Sequence, residues 1–349
     1  MTVTPQTNTD LNEIAHVLRD ADTFVICGHV GPDGDCLGSQ LVVYHALKAL
    51  GKQVTCLLAK AEIIEEGLLF LPGIESMVQA SEYQESPEVF ISVDVPTAER
   101  LGDAAAAVRA KASLTVTVDH HAHDEVVSRY TYVDPDSAST TMLVWRLVAE
   151  LGVERTPAIA TCAYTGLVTD TGRFQFQNTD KAAFEAAFEM VEAGADPAFV
   201  AQNVFQSRSR ASLFLEGIVL SRMRFAENGQ FVMSYLARSD FEETGAVKAD
   251  AEPLINVLRS LSGVRVACIL REEPEHVRGS FRAKDDTDVA AIAKTMSGGG
   301  HKAAAGFTLH EPLEDAIVRV DKVVRSVLSS ESTVFNDAAT AKQAEDNRS

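Results

Sequence analysis

The chain has 349 residues, 46% of them hydrophobic, which is enough for two ordinary domains with a core each. Its formal charge of -19 works against long polyanions, whose binding relies on Lys and Arg tracking the phosphates, so any nucleic-acid ligand is expected to be short. No basic segment followed by an apolar stretch opens the chain, and no window nears about 18 uninterrupted apolar residues, so a soluble cytoplasmic protein without membrane contact is expected.

The run FVICG (24–28) is apolar on both faces, as in a buried parallel strand, and LGSQLVVYHALKALG then shows helical spacing with Gly51 as its stop. QVTCLLA reads as the next strand. EVFISV (88–93) ends in Asp94 and SLTVTV (113–118) in Asp119, His120 and His121, with AERLGDAAAAVRAKA helical between them. This alternation predicts an α/β fold with a mostly parallel sheet flanked by helices.

TPAIATCAYTGLVTD reads as a helix with Thr156 as N-cap and Pro157 at its first position, closing on Asp170. KAAFEAAFEMVEAGADPAFVAQNVF is helical, and the polar QSRSRAS (206–212) reads as a linker. GIVLSRMRF, a turn at Asn228 and Gly229, and QFVMSYLA predict a hairpin opening a smaller α+β domain over 213–330. In that domain VRVACIL, HVRGSFRA and the helical VAAIAKTM lead to SGGGHKAAAGFTL. Residues 331–349 are polar and aperiodic, as in a disordered tail. The five cysteines (Cys27, Cys36, Cys56, Cys162, Cys268) show no CxxC spacing and sit mostly in apolar runs, so reduced thiols are expected rather than a zinc ribbon.

In open α/β sheets ligands bind beyond the carboxyl ends of the strands, where residues distant in sequence meet. Four places there carry acids or histidines: His29 with Asp33 and Asp35, then Asp94, then Asp119, His120 and His121, then Asp170. Singly, each has a plain structural explanation, since an Asp in a Gly/Pro loop forms turns and an Asp after a strand caps helices. Together they make a donor set of carboxylate oxygens and imidazole nitrogens, suited to Mn²⁺ or Mg²⁺, with Zn²⁺ or Fe²⁺ as alternatives. Four carboxylates overload one divalent ion and are balanced by two. Two such ions lower the pKa of a shared water and stabilise charge growing on a phosphoryl group, which points to phosphoester or phosphoanhydride hydrolysis.

The glycines of SGGGHKAAAGF let the backbone approach an anion closely, with His301 and Lys302 following, and Arg282 on the preceding strand is suited to a bidentate phosphate contact. His16, His45, His276 and His310 show no such partners, and His123 is ambiguous.

HVGPDGDCLGS, SVDVP, VDHH and GLVTDTGRF resemble, in order, the motifs of the DHH phosphoesterase superfamily, and GGGHKAAAG resembles the signature of its associated C-terminal domain. That pairing is found in nanoRNases, oligoribonuclease/pAp phosphatases and cyclic-di-AMP phosphodiesterases, and the resemblance covers residues 12 to about 328. It implies a metal-bearing domain over 12–205, a substrate-binding domain after the linker, a cleft between them, and a homodimer. It also implies that His29, Asp33 and Asp94 hold one Mn²⁺ while Asp35, Asp94, His120 and Asp170 hold the other, with Mg²⁺ or Co²⁺ as alternative metals. Asp94 would bridge, Asp119 would orient a histidine, and His121 would contact the scissile phosphate or assist the leaving group. Arg282, Gly299, Gly300 and His301 match the substrate-binding positions, although SFRAK departs from the commoner Ser-x-Arg-Ser.

The expected activity is Mn²⁺-dependent hydrolysis of cyclic-di-AMP, pApA and other very short oligoribonucleotides to mononucleotides, with phosphatase activity on 3′-phosphoadenosine 5′-phosphate. An inorganic pyrophosphatase-like hydrolase and a non-catalytic cyclic-dinucleotide sensor are the alternatives. The GGGH signature argues against the first and the complete ligand set against the second.

Overall fold

The structure, a computed structural model, describes residues 7–61, 64–95, 97–122 and 128–328. The 331–349 segment and His123 lie outside these residues. Contacts divide the chain between Ser207 and Arg208 into two compact units.

The first unit opens with α1 (Leu11–Asp20), β1 (Thr23–Cys27), α2 (Gly34–Ala49), β2 (Gln53–Leu58), β3 (Val78–Gln79) and β4 (Val89–Val93). It continues with α3 (Asp103–Arg109), β5 (Leu114–Asp119), β6 (Tyr130–Val133), α4 (Thr140–Glu150), α5 (Pro157–Asp170), α6 (Lys181–Glu192) and α7 (Pro197–Phe205). The strands form one sheet in the order β3-β2-β1-β4-β5-β6, with every pairing parallel. Both faces are covered, which is why the strands read as unbroken apolar runs. On β1, Phe24 and Ile26 enter a core with Leu41, Trp145 and Leu167, while Val25 and Cys27 enter another with Phe90, Leu101 and Val108. The strand order reverses between β1 and β4, so the segments leaving these two strands diverge and open a crevice at their carboxyl ends.

Several local expectations change. The helix expected from Leu37 starts at Gly34, with Asp33 as its N-cap, so Asp35 stands in the first helical turn rather than in the loop. Gly31, at φ 68°, takes the left-handed turn position, whereas Gly34 is glycine for closeness: a Cβ there would lie 2.5 Å from Thr169 Oγ1. The helix expected over AERLGDAAAAVRAKA is broken by Gly102, at φ 74°, into a short 3₁₀ turn at Glu99–Leu101 and α3.

Helices α2 and α5 pack through small residues. A Cβ on Gly38 would fall 2.6 Å from the Cys162 carbonyl oxygen, a backbone atom that cannot rotate away. Gly38→Ala is therefore expected to force the helices apart and destabilise the protein by about 1–3 kcal/mol, read as a lower urea midpoint at unchanged slope. An unchanged midpoint would show that the helix pair is not tightly constrained there.

The second unit contains α8 (Arg210–Ser221), β7 (Arg224–Ala226), β8 (Phe231–Leu236), α9 (Arg238–Thr244), α10 (Lys248–Ala251) and α11 (Leu254–Arg259). These are followed by β9 (Val266–Glu272), β10 (Val277–Ala283), α12 (Val289–Lys294), β11 (Gly299–His301), β12 (Ala304–Leu309) and α13 (313–328). Its sheet runs β11-β12-β10-β9-β8-β7, antiparallel except for β8 beside β9. Apolar clusters line both faces, one including Ile292 of α12 and Val320 of α13, the other Leu215 of α8 and Leu258 of α11.

The expected hairpin exists, but its first strand is only three residues long, and GIVLS belongs to α8. Part of the 206–212 stretch, read as a linker, is likewise helical from Arg210. All five cysteines are buried and free. Among the described residues no helix is long and apolar enough to cross a membrane.

Candidate metal centre

The carboxyl ends of β1, β4 and β5, with the last residue of α5, bring His29, Asp35, Asp94, Asp119, His120, His121 and Asp170 into one cluster. His29 Nε2 lies 3.3 Å from Asp94 Oδ2 and 3.8 Å from Asp33 Oδ2. His120 Nε2 lies 3.6 Å from Asp94 Oδ1, 3.6 Å from Asp170 Oδ2 and 4.0 Å from Asp35 Oδ2. Three sets of donor atoms lie within 4.8 Å of one another: His29, Cys36 and Asp94; Asp94, His120 and His121; and Asp35, His120 and Asp170. Asp33 stands at the rim with its side chain 60% exposed, and its Oδ1 accepts from the Asp35 and Cys36 N–H groups as the α2 cap.

Asp94 is the centre of the cluster. It is fully buried, its Oδ2 faces His29, and its Oδ1 faces His120 and, at 3.4 Å, His121 Nδ1. The Thr140 hydroxyl also donates to Oδ1 at 3.0 Å. Its backbone takes φ 57°, a left-handed conformation that side chains other than Asn and Asp rarely accept. Strain of that kind persists where the surroundings enforce it, commonly at functional sites.

Asp35 is held from the opposite side. The N–H groups of Thr140 and Thr141, the first two residues of α4, donate to its Oδ2 and Oδ1 at 2.7 and 2.9 Å. A helix N-terminus thus fixes the carboxylate with free N–H groups and a favourable dipole. Sequence reasoning missed these two threonines because their contribution is largely backbone; the Ser139 N-cap before an apolar run was the available signal. It also missed Cys36 and Arg100, whose guanidinium lies 3.1 Å from His29 Nδ1.

The histidine ring contacts fit metal ligation. His29 Nδ1 lies 3.0 Å from the Val30 carbonyl and His120 Nδ1 lies 3.2 Å from the Ser137 carbonyl, acceptors that favour a hydrogen on Nδ1 and a lone pair on the inward Nε2. His121 differs: its Nδ1 lies 2.8 Å from Asp119 Oδ1, so Asp119 fixes the ring that follows it.

The electrostatics describe a cluster crowded with acids. Burial above all, then the charges of Asp94 and Asp33, push the Asp35 carboxyl up to about 7 against the pull of His120. Asp170 is raised well above the carboxylate range by burial and by Asp35, Asp33 and Asp94. Burial also opposes charge on Asp94, but His29, His120 and His121 outweigh it and hold its carboxyl low. Burial opposes charge on His29 too, yet Asp94 and Asp33 lift its pKa to about 8. Buried carboxylates at this spacing require protons or cations. Carboxylates with inward imidazoles are the donor chemistry of hard or borderline divalent cations, so the residues fit a metal centre.

The remaining predicted residues belong to the second unit. Arg282 on β10 pairs with Ala304 on β12, which pairs with His301 on β11, so these backbone positions lie side by side across three strands. Arg282 Nη1 donates to the Phe281 carbonyl at 2.9 Å, and burial followed by Arg259 and Arg271 lowers its pKa against the influence of Glu252. The expected glycine loop is partly a strand. At Gly300, φ 139°, a Cβ would meet the Ala304 carbonyl oxygen at 2.5 Å, whereas nothing lies within 4 Å of such an atom at Gly299.

Residues 23–167 match the DHH family, N-terminal domain, and residues 228–330 match the DHHA1 domain. The bifunctional oligoribonuclease and PAP phosphatase NrnA of Thermus thermophilus is 32% identical over 318 residues, covering 90% of this chain and 94% of its own. The protein of the same name from Bacillus subtilis is 25% identical over 301 residues, covering 85% and 93%. Among solved structures, an exopolyphosphatase-related protein from Bacteroides fragilis is similar at a TM-score of 0.86 and 27% identity, covering 90% of this chain and 95% of that one. With both domains matched in order and one relative similar along nearly its whole length, the chain belongs to the DHH superfamily of phosphoesterases, in its nanoRNase-type branch.

Proposed function

We propose that the chain is a Mn²⁺-dependent phosphodiesterase that hydrolyses cyclic-di-AMP, pApA and other very short oligoribonucleotides to mononucleotides, and a phosphatase acting on 3′-phosphoadenosine 5′-phosphate. The observation that carries this reading is the buried carboxylate–imidazole cluster at the carboxyl edge of the parallel sheet. Likeness over 90% of the chain to a relative named for oligoribonuclease and PAP phosphatase activity supports the substrate class.

His29, Asp33 and Asp94 would hold one cation, and Asp35, Asp94, His120 and Asp170 the other. Bound there, the pair supplies an activated water and neutralises charge on the phosphoryl oxygens. The Thr140 and Thr141 N–H groups keep Asp35 in place, and the Thr140 hydroxyl does the same for Asp94. His121, steered by Asp119 through Nδ1, has Nε2 left to touch a phosphate oxygen or give a proton to the leaving oxygen. Arg282, the Gly299 and Gly300 backbone and His301 would take the phosphate and base of the distal nucleotide. The charge of -19 disfavours long strands.

The test is parallel hydrolysis of cyclic-di-AMP, pApA, a longer RNA, 3′-phosphoadenosine 5′-phosphate and pyrophosphate with Mn²⁺. Turnover of the short nucleotides is expected. Turnover of pyrophosphate alone would replace this reading with a pyrophosphatase, and tight binding of cyclic-di-AMP without turnover would replace it with a sensor. Arg282→Ala is expected to raise KM for pApA about tenfold or more with kcat within about threefold, the signature of lost uniform binding. An equal fall in kcat and kcat/KM would move Arg282 into the chemical step.

A further inference from the structure

Arg100 carries a cation to the edge of the acidic cluster. It lies in the Glu99–Leu101 turn, its carbonyl accepts from the Val30 N–H at 2.8 Å, and its guanidinium reaches His29 Nδ1 at 3.1 Å. The backbone bond ties this exposed turn to the loop that presents His29, so Arg100 is anchored beside the cluster while its exposed side chain keeps the freedom to turn. Among the described residues no carboxylate forms an ion pair with Arg100, in a chain with 50 Asp and Glu against 31 Lys and Arg.

The two contacts on His29 Nδ1 need opposite hydrogens. The Val30 carbonyl, 3.0 Å away, accepts and needs an N–H, whereas a guanidinium only donates and needs a lone pair. If His29 gives its Nε2 lone pair to a cation, Nδ1 carries the hydrogen and Val30 keeps it. The Arg100 guanidinium then loses its hold on His29 and is free for another acceptor beside the cluster.

We infer that Arg100 is a substrate-contacting residue of this site, its guanidinium passing from His29 to an oxygen of the anionic phosphoester. The inference rests on the proposed phosphoesterase reading and adds a phosphate contact from the metal-bearing unit to those suggested for the second. A planar guanidinium suits two phosphate oxygens at once, which an ammonium cannot reproduce.

The test compares wild-type, Arg100→Ala and Arg100→Lys full-length protein loaded with Mn²⁺. Inorganic phosphate binding by calorimetry is expected to weaken about tenfold or more in Arg100→Ala, as for a lost charged hydrogen bond. Its kcat/KM for pApA is expected to fall about 100-fold and to recover in part with added guanidinium ion, with Arg100→Lys intermediate. The Mn²⁺-induced rise in melting temperature should stay at the wild-type value. Unchanged phosphate affinity in Arg100→Ala would overturn the inference, as would loss of the Mn²⁺-induced rise, which would make Arg100 a support for His29 only. A wild-type protein that binds phosphate through Arg100 yet hydrolyses none of the nucleotides would overturn the parent reading and leave the contact standing.

Discussion

Asp94→Asn is expected to lower kcat/KM for pApA by at least about 10³-fold at saturating Mn²⁺, roughly 4 kcal/mol of transition-state stabilisation. The choice of Asn isolates the charge. Asn is among the few residues that accept φ 57° without added strain, it matches Asp in size, and its amide oxygen can still accept from the Thr140 hydroxyl. What it removes is the negative charge facing His29 on one oxygen and His120 and His121 on the other. No other carboxylate in the cluster faces all three histidines, so none can take over its position between the two proposed cations. The Mn²⁺-induced rise in melting temperature should shrink in the same variant while far-ultraviolet circular dichroism stays unchanged. A variant within tenfold of wild type, still fully stabilised by Mn²⁺, would show that Asp94 is not shared between cations.

The way this site could be read from sequence follows from where its information lies. Strands buried on both faces are written as apolar runs, and the acids that end them stand out against that background, so Asp94, Asp119 and His120 were visible as strand-end residues. Asp170 was visible because Thr156 and Pro157 fix the start of its helix. The backbone contribution was not visible: the two N–H groups that hold Asp35 carry no side-chain signal, and the strained φ of Asp94 is imposed by tertiary contacts. The need for glycine at position 34 is hidden in the same way. Glycine in a loop suggests a turn, but the pressure here comes from Thr169, 135 positions away in sequence. GIVLS illustrates the opposite limit, since a short apolar run fits a strand or a buried helix equally and only its packing onto β8 decides for the helix.

The crowding of acids predicts how the metal-free protein responds to pH. The Asp35 carboxyl sits at about 7 when folded, against a value near 4 in an unfolded chain. The folded state therefore holds this proton more tightly, and its stabilising effect is full below about pH 4 and lost as pH rises toward 7. Asp170 acts with the same sign. His29, raised to about 8, contributes stability below its unfolded value and loses it as pH rises through 8. Asp94 has the opposite sign, but its lowered pKa confines its effect to acid below about pH 4. The EDTA-treated protein is thus expected to melt at lower temperature as pH rises from 5 to 8.5. Between these pH values the Asp35 shift alone is on the order of 3 kcal/mol, a fall of roughly 5–10 °C for a domain of this size. Saturating Mn²⁺ favours the ionised carboxylates and should flatten this slope, so the gap between metal-free and loaded melts should widen toward high pH. Asp170→Asn removes one of the repelling charges: at pH 8 its metal-free form should melt higher than wild type, while its Mn²⁺-induced rise should be smaller. A metal-free melting temperature that climbs between pH 5 and 8 would contradict the assignment, because it would mean that these carboxyls ionise as readily inside the fold as outside it.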